Sequence, residues 1–346
     1  MIEKLRLFIL AGEPPGDRIA ADLVARLRGK VNLELSGVGG DELAGQGLTS
    51  LYPMSDLAVM GITDVLLNLP RLLWRLEETA RAILMANPNM VVLVDAQDFS
   101  RLLAARLRKR GYTGRLVLYV APSVWARHPE RAKRLAPLFD AVLAVLPFEP
   151  EAMSRLGGPP TNYVGHPALA EAIASQTPPD RGPLVLLPRL RDRLVAETAN
   201  WPAPVRVVET RAARREIYQQ AIGAICVSGT VTLELALARV PMVVIYALDS
   251  HQSRAYAKLG RPQVSLPNII LGRPIVREFV AAPLLDEPAK SAMIDLLDNK
   301  KVRQDQVQAF DELCRIMETG LPPHLREDPA DRILAVWRNQ RSLIGE

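Results

Sequence analysis

The feature that most constrains the fold is a regular alternation of short apolar runs and longer amphipathic runs. The chain opens with a buried-strand pattern over Leu5–Ala11, a Gly/Pro-rich turn at 12–16 and helical spacing over Asp17–Leu27. Further strand patterns occupy Leu33–Val38, Met90–Val94, Arg115–Val120 and Ala141–Leu146, and further helical patterns occupy Arg71–Met85 and Phe99–Arg110. This alternation predicts an α/β fold with a doubly wound parallel sheet, in which ligands bind at the carboxyl ends of the strands.

The length of 346 residues predicts two domains, because one core rarely serves so long a chain. The periodicity lapses into linker composition at 174–183, and a second α/β series follows. Its strand patterns occupy Leu184–Leu187, Val205–Val208, Ala224–Val227 and Met242–Tyr246. We therefore expect a first domain over 1–173, a second over 184–328, and a last segment, 329–346, whose helical pattern over Ala330–Gln340 packs back on the first domain.

Composition excludes several classes of protein. A net charge of +5 favours anionic partners without choosing among them, and the basic cluster at 106–110 lacks the interleaved aromatics of a nucleic-acid surface. Cys226 and Cys314 cannot form a disulfide framework, and His128 and His166 lack metal-ligand spacing. The absence of a signal-peptide pattern and of a long apolar run predicts a cytoplasmic protein whose membrane contact is peripheral. We expect neither a metal nor a nucleic-acid partner.

The segment Asp95-Ala96-Gln97-Asp98 places two carboxylates at the end of a predicted strand. A carboxylate there is suited to take the proton from an attacking hydroxyl during transfer of a sugar from a nucleotide carrier, and Asp98 is the candidate base. The alternative interpretation makes Asp98 the N-cap of the next helix, a role in which its side chain accepts a backbone N–H. The local pattern alone favours the cap.

Ser228-Gly229-Thr230 follows a buried strand and opens a predicted helix over Val231–Ala238. Free backbone N–H groups and the positive end of a helix suit a diphosphate, and Glu234, one turn further on, can accept from ribose hydroxyls. An ordinary strand-to-helix turn capped by Ser228 is the alternative.

Gly37-Val38-Gly39-Gly40 resembles a dinucleotide fingerprint only in part, because Glu42 occupies the position of the third glycine and the loop follows the second strand. The pattern therefore disfavours NAD binding. A tight turn or the close approach of a substrate explains these glycines.

The stretch from Leu57 to Leu76 is unusually apolar and carries Trp74 between Arg71 and Arg75. This combination suits an interfacial membrane surface or an acyl-chain pocket. A core helix is the alternative, although Pro70 and the arginines interrupt a simple buried face.

Ten segments in order along nearly the whole chain resemble the bacterial lipid-A-disaccharide synthase family. They are Ala11-Gly12-Glu13-Pro14 with Gly16-Asp17, Gly37-Val38-Gly39-Gly40, Leu57-Ala58-Val59-Met60-Gly61-Ile62, Asp95-Ala96 with Asp98-Phe99, Ala121-Pro122-Ser123-Val124-Trp125-Ala126, Leu146-Pro147-Phe148-Glu149, Gly165-His166-Pro167, Ser228-Gly229-Thr230, Pro241-Met242-Val243-Val244 and Ser265-Leu266-Pro267-Asn268.

The resemblance implies a GT-B fold, with two Rossmann-like domains and a cleft between them. It also implies an inverting hexosyltransferase that joins UDP-2,3-diacylglucosamine to 2,3-diacylglucosamine 1-phosphate (lipid X), with Asp98 as the base on the acceptor 6-hydroxyl and no cofactor. The 57–76 region becomes the contact with acyl chains and the inner face of the cytoplasmic membrane, and a homodimer is compatible. The implied substrate-binding residues are Glu13, Asp17, Met60, Ser123, Trp125, His166, Arg191, Ser228, Gly229, Thr230, Glu234 and Asn268.

The sequence departs from the family pattern mainly in the donor half. Leu187-Pro188-Arg189-Leu190-Arg191 stands where the family has Leu-Pro-Gly-Ser-Arg, and the chain before Ser228 is shorter by about one βα unit, ~30 residues. Pro15 replaces a family Ser, and Arg127-His128 replaces Trp-Arg. These changes keep a second hypothesis open, a non-catalytic paralogue that binds a glycolipid or a protein. A third hypothesis is a UDP-sugar epimerase on the same architecture.

Overall fold

The computed structural model describes residues 4–57, 62–126, 128–171, 182–186, 204–207, 211–246, 248, 250–258, 260, 262–280 and 287–344. The chain divides into two compact units. Unit 1 comprises Met1–Gly165 with Gly320–Glu346, and unit 2 comprises His166–Thr319.

Unit 1 is built on a six-stranded sheet in the order β2-β1-β3-β4-β5-β6, with every neighbouring pair parallel. The strands are β1 (Lys4–Ala11), β2 (Asn32–Val38), β3 (Met90–Val94), β4 (Arg115–Tyr119), β5 (Ala141–Ala144) and β6 (Thr161–Tyr163). All five residues of β3 are buried, as expected for a central strand that helices cover on both faces. The parallel order brings all six carboxyl ends to one edge of the sheet.

The connections of unit 1 are helices, as parallel pairing requires. They are α1 (Pro14–Arg28), α2 (Asp41–Gly45), α3 (Ile62–Ala86), α4 (Gln97–Lys109), α5 (Glu130–Leu135) and α6 (Glu149–Arg155), with a 3₁₀ turn at Met54–Asp56. Buried apolar side chains of α4, such as Leu103 and Leu107, recur at helical spacing and pack in the core with Leu93 of β3. Amphipathic spacing thus fixes which face of each helix meets the sheet.

Unit 2 repeats the architecture on a five-stranded parallel sheet in the order β11-β10-β9-β7-β8. Its strands are β7 (Leu184–Leu186), β8 (Val205–Val207), β9 (Gly223–Cys226), β10 (Met242–Tyr246) and β11 (Arg277–Val280). Its helices are α7 (Arg211–Gln220), α8 (Thr230–Leu237), α9 (Ser250–Lys258), α10 (Leu266–Leu271), α11 (Glu287–Asp298) and α12 (Lys300–Thr319), with a 3₁₀ turn at Pro167–Glu171.

The chain returns to unit 1 through a short hairpin, β12 (Gly320–Leu321) with β13 (His324–Leu325), and ends in α13 (Pro329–Ile344). This helix packs on α1 and β4. Asp328, just before it, forms an ion pair with Arg26 of α1 (3.0 Å), and Asp331 pairs with Lys30 (2.5 Å).

Apart from the long helix predicted over Arg71–Met85, the predicted strands and helices are confirmed to within a few residues at their described ends. Four of the described strands were not predicted: β6 and β11 are short or only half-buried, β12 and β13 have two residues each, and the apolar pattern was too weak to indicate them. The predicted start of the long helix at Arg71 is wrong, because α3 runs through Pro70 from Ile62. The predicted linker at 174–183 lies largely outside the described residues. Among the described helices, none is long and apolar enough to cross a bilayer.

Candidate active site

The central loop of the carboxyl edge in unit 1 follows β3, which lies between β1 and β4 in the sheet. Its residues Asp95 and Ala96 both have positive φ, 57° and 44°, and Ala96 is the N-cap of α4. Val120, at the end of the adjacent β4, has φ 76°, a true outlier for a β-branched residue. Backbone strain of this kind persists only where surrounding structure enforces it, and it concentrates at functional sites.

The loop after β1 approaches this strained turn closely. A Cβ added to Gly12 would lie 2.6 Å from the Cβ of Ala96, and one added to Gly16 would lie 3.4 Å from the Cβ of Asp95. Glycine is therefore required at residue 12 on grounds of space. Glu13, between these glycines, is exposed and is the N-cap of α1.

Asp98 is exposed in the first turn of α4. It is not the N-cap, since Ala96 holds that position, so the capping alternative does not apply. Asp95 is half-buried, and desolvation raises the pKa of its carboxyl despite a hydrogen bond from the Ala96 backbone. The Asp95 carbonyl accepts from the Ser100 hydroxyl (2.9 Å), which fixes the turn. Asp98 is thus the solvent-accessible carboxylate of the pair.

Asp17 has a different role from the direct ligand contact that the resemblance implies. It is 2% exposed, and its two carboxylate oxygens accept the backbone N–H groups of Gly40 (2.8 Å) and Glu42 (2.9 Å). The Gly39 N–H donates to the Ser50 hydroxyl (3.1 Å). The Gly-rich loop therefore directs these three N–H groups inward, where they are unavailable to a phosphate, and Asp17 positions the loop.

Replacement of Asp17 is expected to destabilise unit 1. In Asp17→Asn the amide NH₂ would face a backbone N–H donor, so one charge-assisted hydrogen bond is lost and one buried donor is left unsatisfied. We expect a loss of about 2 kcal/mol in the free energy of unfolding, measured by urea denaturation. Asp22→Asn, on the exposed face of the same helix, removes only a surface ion pair with Arg26 and should cost less than about 1 kcal/mol. Equal effects would contradict the positioning role.

The loop after β4 carries Ser123, which is exposed, and Trp125, which is half-buried. Trp125 packs edge-on against Phe148 with ring centroids 4.8 Å apart, and its indole N–H donates to Glu149 Oε1 (3.3 Å). Glu149 is 2% exposed and also accepts the Leu146 N–H (3.0 Å). Burial raises its pKa to about 7. Glu149 ends the matched segment Leu146-Pro147-Phe148-Glu149, but neither the local pattern nor the resemblance predicts a role for it.

In unit 2, Ser228-Gly229-Thr230 follows β9 and opens α8. Gly229 is exposed, its φ is 138°, and no atom lies within 4 Å of an added Cβ, so the turn presents open backbone at the start of a helix. Thr230 is exposed as well, and Glu234 lies one turn into the helix, half-buried. The Ser228 hydroxyl donates to the Val264 carbonyl (2.6 Å). These features suit the predicted diphosphate site.

Asn268 does not fit direct contact with UDP. It is 1% exposed, its Oδ1 accepts from the N–H groups of Ile275 and Val276 (both 2.8 Å), and its amide donates to Glu278 Oε1 (2.7 Å) and the Val276 carbonyl (2.8 Å). With both ends of the amide satisfied inside the protein, Asn268 shapes the connection to β11 instead of contacting a ligand.

His166 is half-buried, and its Nδ1 accepts the Ala168 N–H (3.1 Å) within the turn at Pro167–Glu171. The imidazole thus helps to form this turn, and the substrate contact that the resemblance implies for His166 stays a prediction. Met60 and Arg191 lie outside the described residues, as does the altered segment 187–191. In the described part of the chain, no group of three or more His, Cys, Asp or Glu is placed to hold a metal ion.

A family model described as lipid-A-disaccharide synthetase matches residues 7–183 and 184–325. The chain belongs to the lipid-A-disaccharide synthase family. A relative of that name from Rhodopseudomonas palustris (strain HaA2) is 35% identical, covering 91% of this chain and 92% of its own. One from Bradyrhizobium diazoefficiens is 34% identical, covering 98% of each chain. The chain is therefore an enzyme, a glycosyltransferase of lipid A biosynthesis.

Solved structures establish the fold of this family member as GT-B. Arabidopsis thaliana UGT89C1 complexed with UDP gives a TM-score of 0.60 at 11% identity and covers 97% of this chain and 100% of its own. UDP-GlcNAc 2-epimerase from Neisseria meningitidis, bound to UDP-GlcNAc, gives a TM-score of 0.55 at 8% identity. The match covers 99% of this chain and 100% of the epimerase chain. Identities this low support the architecture alone, so the likeness to epimerases does not support epimerase activity.

The alignment with the Bradyrhizobium relative extends over 388 positions, whereas this family member has 346 residues. The relative therefore contains segments that this chain lacks. This agrees with the expectation of a shortened chain, and the assignment of the missing part to the donor half stays a prediction.

Proposed function

We propose that this enzyme transfers the diacylglucosaminyl group of UDP-2,3-diacylglucosamine to the 6-hydroxyl of 2,3-diacylglucosamine 1-phosphate (lipid X). The acceptor oxygen attacks C1 of the donor sugar while Asp98 takes its proton. The bond from C1 to the diphosphate oxygen breaks, its electron pair leaves with UDP, and the configuration at C1 inverts. The products are lipid A disaccharide 1-phosphate and UDP.

The observation that carries this proposal is the setting of Asp98. A general base needs an accessible carboxylate on a rigid support, and Asp98 is exposed on the first turn of a helix whose entry is fixed by two strained residues. The close packing of Gly12 on Ala96 supports the same turn. Glu13 and Ser123, exposed on loops at the same edge, are the acceptor-side contacts that we propose.

On the donor side, we propose that UDP binds at the turn Ser228–Thr230. The open backbone at Gly229 and the N-terminal end of α8 supply N–H donors and a positive dipole for the diphosphate. Such groups stabilise the departing UDP without a metal. Glu234 and Arg191 are the further donor contacts in this proposal.

The test is release of UDP by the purified protein. We expect UDP only when donor and acceptor are both present, together with a product of the mass of the acylated disaccharide. UDP-sugar turnover without acceptor would favour an epimerase, and binding of either lipid without turnover would favour a non-catalytic paralogue.

We further propose that α3 contacts the inner face of the cytoplasmic membrane. Trp74 is 57% exposed, Leu73 46% and Leu69 41%, and the Arg75 guanidinium lies 4.2 Å from the Trp74 ring centroid. Arg71, whose side chain is 58% exposed, lies beside these apolar side chains, and this combination is suited to an anionic lipid surface.

Replacement of this apolar patch is expected to weaken binding to vesicles that contain anionic phospholipid. The double change Leu73→Ser with Trp74→Ser should lower the partition constant about tenfold or more, because two large apolar side chains lose their contact with lipid. Sedimentation with vesicles measures this. Met85→Ser is the matched control on the same helix, since Met85 is 87% exposed but about 16 Å further along. If all three proteins sediment equally, the contact lies elsewhere.

A further inference from the structure

The diphosphate turn of unit 2 is held by an internal hydrogen-bond network. Thr232, on the first turn of α8, is fully buried, and its hydroxyl donates to the Gly229 carbonyl (2.8 Å) while accepting the Leu266 N–H (3.2 Å). One hydroxyl therefore links the open turn to the neighbouring segment Val264–Leu266, which we call the strap. The Ser228 hydroxyl provides a second link by donating to the Val264 carbonyl (2.6 Å).

The strap is held from its other side by Glu278 of β11. Oε2 accepts the Val264 N–H (2.9 Å), and Oε1 accepts both the N–H (2.9 Å) and the hydroxyl (2.5 Å) of Ser265. The Asn268 amide also donates to Oε1 (2.7 Å). Four neutral donors thus converge on one half-buried carboxylate, a concentration that an ordinary loop-to-strand connection does not need.

The hydrogen bonds of Thr232 and those of Glu278 meet at the strap. Together they form a continuous series of contacts that begins at Gly229 and ends at Glu278. Backbone N–H groups bind a diphosphate well only if they have the required orientation before the ligand arrives, because reorganisation of the turn costs binding free energy. Gly229 adds a reason for outside support, since its φ is 138° and no atom lies within 4 Å of an added Cβ to hold this backbone in place.

We propose that Thr232 and Glu278 are positioning residues for the nucleoside diphosphate of the donor, acting through the turn and the strap without touching the ligand. The inference rests on the proposed function, because it takes the turn at Ser228–Thr230 as the UDP site. It assigns to two residues outside that site the control of donor affinity.

The test compares Thr232→Val, Thr232→Ser and Glu278→Gln by calorimetry with UDP and by steady-state kinetics. Valine keeps the shape of threonine, but it leaves the Leu266 N–H without its acceptor and removes one of the two hydrogen bonds to the Gly229 carbonyl, which still accepts the backbone N–H of residue 232 (3.0 Å). Serine keeps the hydroxyl. In Glu278→Gln, one carboxylate oxygen is replaced by an NH₂ group, which cannot accept hydrogen bonds from the donors of the strap. We expect Kd for UDP and KM for the UDP-sugar to rise about tenfold in Thr232→Val and Glu278→Gln, with kcat and acceptor KM changed less than about twofold. Thr232→Ser should restore wild-type values.

Asp305→Asn, at an exposed carboxylate of unit 2 paired with Lys301, is the control and should behave as wild type. If wild type binds UDP and both Thr232→Val and Glu278→Gln bind it equally well, the positioning inference is wrong while the proposed function stands. If wild type itself does not bind UDP, the proposed function fails and the inference fails with it. Should Thr232→Val not fold, Glu278→Gln decides alone.

Discussion

Asp98→Asn is expected to lower kcat by about 10²–10⁴-fold while leaving KM for both substrates within a few fold. The amide keeps the size of the carboxylate and the helical first turn, but it cannot accept the proton of the acceptor hydroxyl. Because Asp98 is exposed and makes no capping hydrogen bond, its loss should not alter folding. UDP release under saturating donor and acceptor measures the effect.

Two controls make this result specific to the base. Glu34→Gln changes another exposed carboxylate of unit 1, in edge strand β2, and should retain full activity. The unfolding transition of Asp98→Asn should coincide with that of wild type. Activity within tenfold of wild type would show that another group takes the proton.

The second large effect concerns Glu149 and the pH dependence of stability. Its folded-state pKa of about 7 lies above the ordinary value of 4.5, because burial penalises the charged form. The unfolded chain releases this proton as pH rises past about 4.5, whereas the folded chain holds it until about 7, so the folded state loses stability across that window. We expect the Glu149 side chain to lower the free energy of unfolding by about 2–3 kcal/mol more at pH 8 than at pH 5.

Glu149→Gln tests this directly, because glutamine is always neutral and its carbonyl can still accept from Trp125 or Leu146. Its stability relative to wild type should rise by about 2–3 kcal/mol between pH 5 and pH 8, measured by urea unfolding at each pH. Glu151→Gln, on the exposed surface of the same helix, should show no such trend. A constant difference between Glu149→Gln and wild type would mean that Glu149 is ionised at both pH values.

Much of the fold was predictable because parallel strands and their helices leave a strong periodic signal. The fully buried run of β3 and the amphipathic spacing of α4 were readable in the sequence. The edge strand β11 was not, since its four residues are exposed or half-buried and lack an apolar run. Helix α3 was predicted too short, with its start at Arg71 directly after Pro70, whereas in the structure the helix begins at Ile62 and continues through that proline.

The sequence was sufficient to predict which segments contribute to the candidate site. It was not sufficient to predict what each side chain contacts there. Asp17 and Asn268 occur in matched motifs, yet their side chains satisfy buried backbone groups, which only three-dimensional contacts reveal. Glu149 and Glu278 gave no clear local signal, because a carboxylate after or within a strand is usually solvated. Their burial and converging donors depend on residues distant in sequence, such as Trp125 and Ser265.

We propose that this family member joins two acylated sugars with inversion, and the structure of the product tests this proposal. The purified protein should convert UDP-2,3-diacylglucosamine and 2,3-diacylglucosamine 1-phosphate to one disaccharide. NMR should show the new bond at the acceptor 6-hydroxyl, with the configuration at donor C1 opposite to that in the UDP-sugar. A retained configuration, a bond to another hydroxyl, or no disaccharide from folded protein would contradict the account.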